Sequence, residues 1–91
     1  MFSNKIVASV VRMYNDGRRP SEILREVLLL VPDASVPDLM RLMQEAFSLP
    51  YPAVQCIGGW WHDGTGELSD VQLDAFLVAE IAKVHGAQGH E

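Results

Sequence analysis

Gly58-Gly59-Trp60-Trp61-His62-Asp63-Gly64-Thr65-Gly66-Glu67-Leu68-Ser69-Asp70 is the stretch that decides the fold, because it separates the last helix from everything before it. It holds both tryptophans and four of the seven glycines of the chain. Glycines favour turns, whereas two adjacent indole rings exceed what a plain connection between helices needs. Residues 58–69, which we call the Gly/Trp loop, are therefore predicted to be either a binding surface or a locked corner of the fold.

The last helix begins directly after this loop. Ser69 and Gln72 have the spacing of a capping box, in which each side chain accepts the other residue's backbone N–H. Asp70 and Asp74 suit the positive end of the helix dipole. The predicted buried stripe of this helix consists of Leu73, Phe76, Leu77, Ile81 and Val84. The sequence thus predicts a long helix with one face in the core.

Three helices are predicted before the loop. Apolar residues at helical spacing predict a first helix that Gly17 ends and a second that opens near Pro20. Ser35 supplies the N-cap of a third helix. Residues 53–57 favour one further helical turn. We therefore predict a compact all-α domain of four helices, or of five when that turn is counted.

The overall composition indicates one small domain. The chain of 91 residues can build a single core, which we place at residues 1–85, and residues 86–91 are predicted to be a flexible tail. No apolar run approaches the ~18 residues that span a bilayer, so we predict no membrane partner. The single cysteine, Cys56, excludes an internal disulfide and fits a reducing compartment. We expect a cytoplasmic protein.

Charge is distributed unevenly along the chain. Residues 1–43 carry a net charge of +1, whereas residues 44–91 carry −6. An acidic half of this kind repels phosphate backbones and attracts cationic partners. The charge distribution therefore disfavours nucleic acid and favours a basic protein as the partner.

Residues 63–69 resemble the latter part of an EF-hand calcium loop, with alternating oxygen donors around a glycine. If Asp63 is the third ligand, the first falls on Trp61 and the twelfth on Gln72. A calcium loop needs several carboxylates, including a bidentate one at its last position. Calcium binding thus stays an alternative function, beside a simple glycine-rich turn that leads into an N-cap. We predict no metal and no cofactor.

A second alternative is DNA binding or regulation. Residues 18–24 followed by residues 35–39 resemble the two helices of a helix-turn-helix motif. The second of these helices would present two acids, one base and one amide to the DNA groove, which is a poor electrostatic match. These residues are Asp38, Glu45, Arg41 and Gln44. Catalytic signatures such as a phosphate-binding loop, a nucleophile elbow or HExxH do not occur in the sequence. We therefore predict that the chain is not an enzyme.

The Gly/Trp loop supplies most of the candidate binding residues. Neighbouring residues of irregular chain point in different directions, so one tryptophan should anchor the loop while the other faces outward. The sequence leaves open which one does so. Exposed aromatic rings contribute strongly to interface energy, and surrounding carboxylates speed encounter with a basic partner. The predicted partner-binding residues are Tyr51, Trp60, Trp61, His62, Asp63, Glu67, Asp70 and Asp74.

The profile of the whole chain resembles that of the small acidic bacterial immunity proteins. The shared features are small size, acidity, the lack of a catalytic set and the lack of a secretion signal. The resemblance implies a non-enzymatic inhibitor that neutralises a basic toxin or effector. Such an inhibitor can steer onto its partner electrostatically and block it without catalysis.

Overall fold

A computed structural model describes residues 3–60 and 66–85 of the chain. These residues form an all-α fold with five α-helices and one 3₁₀ helix, as the hydrophobic periodicity predicts. The elements are α1 (Asn4–Asn15), α2 (Pro20–Leu30), α3 (Val36–Phe47), α4 (Tyr51–Val54), the 3₁₀ helix Gln55–Gly59 and α5 (Asp70–His85). The predicted tail at residues 86–91 lies outside the described residues.

Helix α1 ends where the sequence predicts. Gly17 takes the left-handed conformation with φ of 95°, and its N–H donates to the carbonyl oxygen of Tyr14 at 3.0 Å. The N–H of Arg18 donates to the carbonyl oxygen of Met13 at 3.0 Å. These two bonds are the pair of a Schellman motif, in which glycine carries the positive φ at no steric cost. The glycine signal is confirmed.

Local capping also starts α2 and α3. Pro20 occupies the first turn of α2, where its missing N–H costs nothing, and the carboxylate of Glu22 accepts the N–H of Arg19 at 3.0 Å. Ser35, the predicted N-cap of α3, forms a capping box with Asp38, with bonds of 3.0 and 3.3 Å. The backbone N–H of Ser35, followed by the Ser35 side chain, lowers the pKa of Asp38, because hydrogen bonds to the carboxylate favour its charged form.

The segment after α3 is more helical than the sequence predicts. Ser48 closes α3 in the left-handed region with φ of 56°, and the chain is again helical from Tyr51 to Gly59 rather than over residues 53–57 alone. The reason lies in the prolines. Pro50 is the N-cap of α4 and Pro52 lies in its first turn, where neither ring interrupts a helical hydrogen bond.

One hydrophobic core joins the helices. Helix α1 packs on α2 and α3, while α5 packs on α2, α4 and the 3₁₀ helix. The rings of Tyr14 and Phe47 meet edge to face with their centroids 5.1 Å apart. Met40 and Met43 of α3 also lie in the core. The largest fully buried side chains include Ile23, Leu24, Leu39, Leu42, Met43, Ile57, Trp60, Leu73 and Leu77.

The buried face of α5 differs from the predicted stripe at one position. Leu73, Leu77 and Ile81 are buried, but Phe76 is 53% exposed. The helix also carries exposed apolar residues on its far side, among them Val71 and Val78. Because α5 is apolar around most of its circumference, periodicity alone does not select which face enters the core. This second apolar side lies on the surface of the described residues.

Candidate functional site

The two ends of the Gly/Trp loop are held together. Trp60 leaves the 3₁₀ helix in an extended conformation and forms a parallel bridge with Leu68. The N–H of Leu68 donates to the carbonyl oxygen of Gly59 at 2.8 Å. The chain therefore leaves and returns at one point, which is the topology of the compact surface loops that frequently carry function. Residues 61–65, between these ends, lie outside the described residues.

Trp60 anchors this loop on the core. Its side chain is only 2% exposed, and its indole Nε1–H donates to Oδ1 of Asp70 at 2.9 Å. A buried indole needs such a partner, because an unpaired N–H in an apolar site is costly. The expectation that Trp60 contacts a partner at the surface is therefore wrong. It is the anchoring tryptophan of the pair.

Arg25 of α2 completes the loop base. Its guanidinium pairs with Oδ2 of Asp70 and lies 5.4 Å from the centroid of the Trp60 ring, within cation–π distance. The hydrogen bond with Asp70 raises the pKa of Arg25. Arg25, Trp60 and Asp70 thus connect α2, the loop and α5. We call these three residues the loop clamp.

The hydrogen bond from Arg25, followed by that from Trp60, lowers the pKa of Asp70. A carboxylate whose pKa is lowered by folding stabilises the fold above its unfolded pKa, and this contribution is lost as the pH falls. We expect the urea midpoint of wild type to decrease below about pH 4, and Asp70→Asn to flatten this decrease. Asp33→Asn, at an exposed position, should leave the pH dependence unchanged. Equal pH dependence in Asp70→Asn and wild type would contradict the clamp.

Asp74 also stabilises the fold through hydrogen bonds. Its carboxylate accepts the backbone N–H of Ser21 at 2.8 Å and the hydroxyl of Ser21 at 3.1 Å. Ser21 lies in the first turn of α2, where N–H groups lack helical partners. Asp74 therefore caps α2 from α5. Asp70 and Asp74 were predicted to attract a partner, and the structure engages both in contacts within the chain.

Two of the remaining predicted site residues are exposed, and three lie outside the described residues. Glu67 is exposed beside the loop base, and Tyr51 is 55% exposed at the start of α4. Trp61, His62 and Asp63 lie outside the described residues. Gln72, the last position of the calcium-loop alternative, accepts the N–H of Ser69 at 2.9 Å and completes the predicted capping box.

An apolar patch that the sequence did not predict lies beside the loop clamp. Two depressions meet at Arg25: one of about 480 Å³ is lined by residues 66–72, and one of about 400 Å³ is lined by Leu28, Leu29 and Pro32. Leu29 is 76% exposed. The sequence contained a signal, because Leu29 lies outside the helical stripe of α2. Leu29 lies near the Gly/Trp loop only because Arg25 of the same helix contacts Asp70. Hydrophobic periodicity does not predict that contact.

Metal and thiol chemistry receive little support among the described residues. Residues 3–60 and 66–85 contain no group of three His, Cys, Asp or Glu side chains placed to hold a metal ion. Cys56 is half-buried, and this burial raises the pKa of its thiol. A raised pKa leaves less of the reactive thiolate at neutral pH.

Fold and site together define a small all-α domain with a clamped surface loop. Within the described part of the chain, none of the helices has the length and apolarity that crossing a bilayer requires. No protein-family model matches the chain, and neither a curated protein nor a solved structure is detectably similar to it.

Proposed function

We propose that this chain is a non-enzymatic protein-binding module that inhibits a basic partner protein. The observation that carries the proposal is the exposed Leu29 beside the loop clamp. An exposed leucine in the wall of a depression offers apolar area to a partner, because a partner side chain can cover it and exclude water. The clamp lowers the entropic cost of binding, since the ends of the loop are already fixed.

The charges near this surface support a basic partner. Glu67 is exposed in the wall of one depression. Asp33 is exposed and is the next residue in the chain after Pro32, which lines the other depression. Neither carboxylate belongs to the loop clamp. Acidic groups around an apolar centre accelerate encounter with a cationic protein, and they repel anionic proteins. The contact surface we propose therefore comprises Leu29, Glu67 and the loop residues 61–65.

The specific form of the proposal is an immunity protein that neutralises a basic toxin in the bacterial cytoplasm. An inhibitor of this kind needs only a stable scaffold, a preformed contact surface and a charge opposite to that of its target. The clamped loop and the acidic second half of the chain are consistent with these needs. Trp61, His62 and Asp63 are the loop residues proposed to enter the interface.

The test begins with recovery of the partner from the native cell by chemical cross-linking to the tagged chain. Binding of the purified partner is then measured for Leu29→Ala and Glu67→Lys, with Glu45→Lys on α3 as a control of equal charge change. We expect Leu29→Ala to weaken binding at least about tenfold, as the loss of an interface anchor does. Glu67→Lys should slow association more than Glu45→Lys does. Normal binding by Leu29→Ala and Trp61→Ala would show that the surface is misplaced.

A further inference from the structure

A second surface lies on the other side of α5. A groove of about 760 Å³ runs between this helix and the turn that joins α1 to α2. Tyr14 and Pro20 form the apolar part of one wall, and Val71, Ala75, Val78 and Ala79 form the other. This groove lies apart from Arg25 and Leu29, and it shares only Val71 with the depression beside the loop.

The α5 wall has the form of a helix-packing face. Val71, Ala75, Val78, Ala79 and Ala82 recur at the spacing that places side chains on one side of a helix, and all five are exposed. The face extends about 16 Å along α5, which is three turns. Its alanines permit a close approach of another backbone, while Val71 and Val78 supply apolar area. A helix of three or four turns matches this length and shape.

Charge at the groove defines the partner more closely. Arg19 is exposed in the groove wall and forms no ion pair with the residues that the structure describes. Arg18 lies 3.6 Å from Glu22 and 3.9 Å from Glu26, and all three side chains are more than 40% exposed, so these pairs are weak and exchangeable. Asp74, the acid of the groove wall, is already bonded to Ser21. These bonds leave the negative charge of Asp74 in place, so the lining of the groove carries two positive charges, on Arg18 and Arg19, against one negative charge.

We propose that this groove binds an amphipathic helix of a partner protein, with an apolar face against α5 and acidic side chains along the edge that faces Arg18 and Arg19. Docking of an amphipathic helix in an apolar groove is a common mode of recognition. The proposal goes beyond the inhibitor function, because it concerns a different surface with the opposite charge preference.

A second copy of this chain fits the groove less well. The helix it would most readily offer is its own α5, whose three acids are all engaged. Asp70 and Asp74 are held by Arg25, Trp60 and Ser21, and Glu80 pairs with Lys83 of the same helix. Releasing any of these carboxylates would remove a contact of the fold. A partner helix with free glutamates has no such cost. It is attracted by Arg19 and, in exchange with Glu22 and Glu26, by Arg18.

The experiment uses the full chain and two fluorescent helical peptides of about 16 residues, each stapled because unconstrained helices of this length are marginal in water. Both carry leucines at i, i+4, i+7 and i+11, and one edge is glutamate in the first peptide and lysine in the second. We expect the glutamate peptide to bind saturably at low salt and the lysine peptide to bind at least about tenfold more weakly. The readout is fluorescence anisotropy.

Variants locate the binding. Val78→Asp should weaken binding of the glutamate peptide at least about tenfold, and the Arg18→Glu/Arg19→Glu double variant should reverse the preference between the peptides. Lys5→Glu/Arg41→Glu, on α1 and α3, has the same charge change of two basic residues to acids and is the matched control. Glu67→Lys, a variant of the inhibitor surface, should bind the peptide as wild type does, so that failure of one proposal is distinguishable from failure of the other. Circular dichroism verifies each fold.

Three outcomes would overturn the proposal. The first is no binding of the glutamate peptide, or binding that neither Val78→Asp nor the arginine variant alters. The second is a dimer of the chain alone that Val78→Asp converts to a monomer, because a second copy would then occupy the groove. The third is loss of peptide binding together with Val78-dependent binding to phosphatidylglycerol vesicles, which would make the face a membrane contact.

Discussion

Trp60→Ala should lower the free energy of unfolding by about 3–5 kcal/mol, the loss typical of truncating a buried aromatic residue. The side chain is 2% exposed, so the substitution creates a cavity between the 3₁₀ helix and α5. It also removes the Nε1–H donor to Asp70 and the ring that lies under Arg25. The total stability of a domain is only about 5–15 kcal/mol, so this variant should be close to unfolding at 37 °C. Urea denaturation followed by circular dichroism measures the loss.

Trp60→Phe separates the ring from its hydrogen bond. Phenylalanine retains much of the buried area but cannot donate to Asp70, so we expect a smaller loss of about 1–2 kcal/mol. A double-mutant cycle with Asp70→Asn should then show coupling between the two positions, since they are in direct contact. If Trp60→Ala costs less than about 1 kcal/mol, the indole is not the anchor of the loop.

Local chemistry made the helix boundaries predictable. Gly17 ends α1, Pro20 opens α2, and the capping boxes at Ser35 and Ser69 start α3 and α5. The glycine and the capping boxes act through hydrogen bonds between residues at most five positions apart, and Pro20 acts through its own fixed φ. Each signal is therefore complete within a short stretch of sequence. The all-α class follows from these boundaries together with the apolar periodicity.

The loop clamp could not be predicted in the same way. Arg25 and Asp70 are 45 positions apart, and their contact exists only because α2 and α5 pack side by side. The sequence indicates the Gly/Trp loop and predicts that one tryptophan anchors it. Which ring enters the core depends on the direction of the chain as it leaves the 3₁₀ helix, and the sequence does not specify that direction.

The same limit explains the altered roles of the acidic residues. From the sequence, Asp70 and Asp74 are helix-start carboxylates available to a partner. In the structure Asp70 bonds Trp60 and pairs with Arg25, which offsets its charge, whereas Asp74 keeps its charge but is held by Ser21. Glu67 is the acidic residue at the loop base that stays exposed. The charge of the proposed inhibitor surface therefore depends less on α5 than the sequence indicated.

Leu77→Ala should lower the free energy of unfolding by about 2–5 kcal/mol, whereas Val78→Ala should change it by no more than about 0.5 kcal/mol. The two residues are neighbours on α5, but Leu77 is fully buried and Val78 is 43% exposed on the proposed docking face. Alanine also favours helix over valine, which offsets the small loss of apolar contact at position 78. Urea denaturation of both variants at several protein concentrations measures the difference. Comparable losses would mean that Val78 is covered in solution, and a concentration-dependent loss at this position would identify the cover as a second copy of the chain.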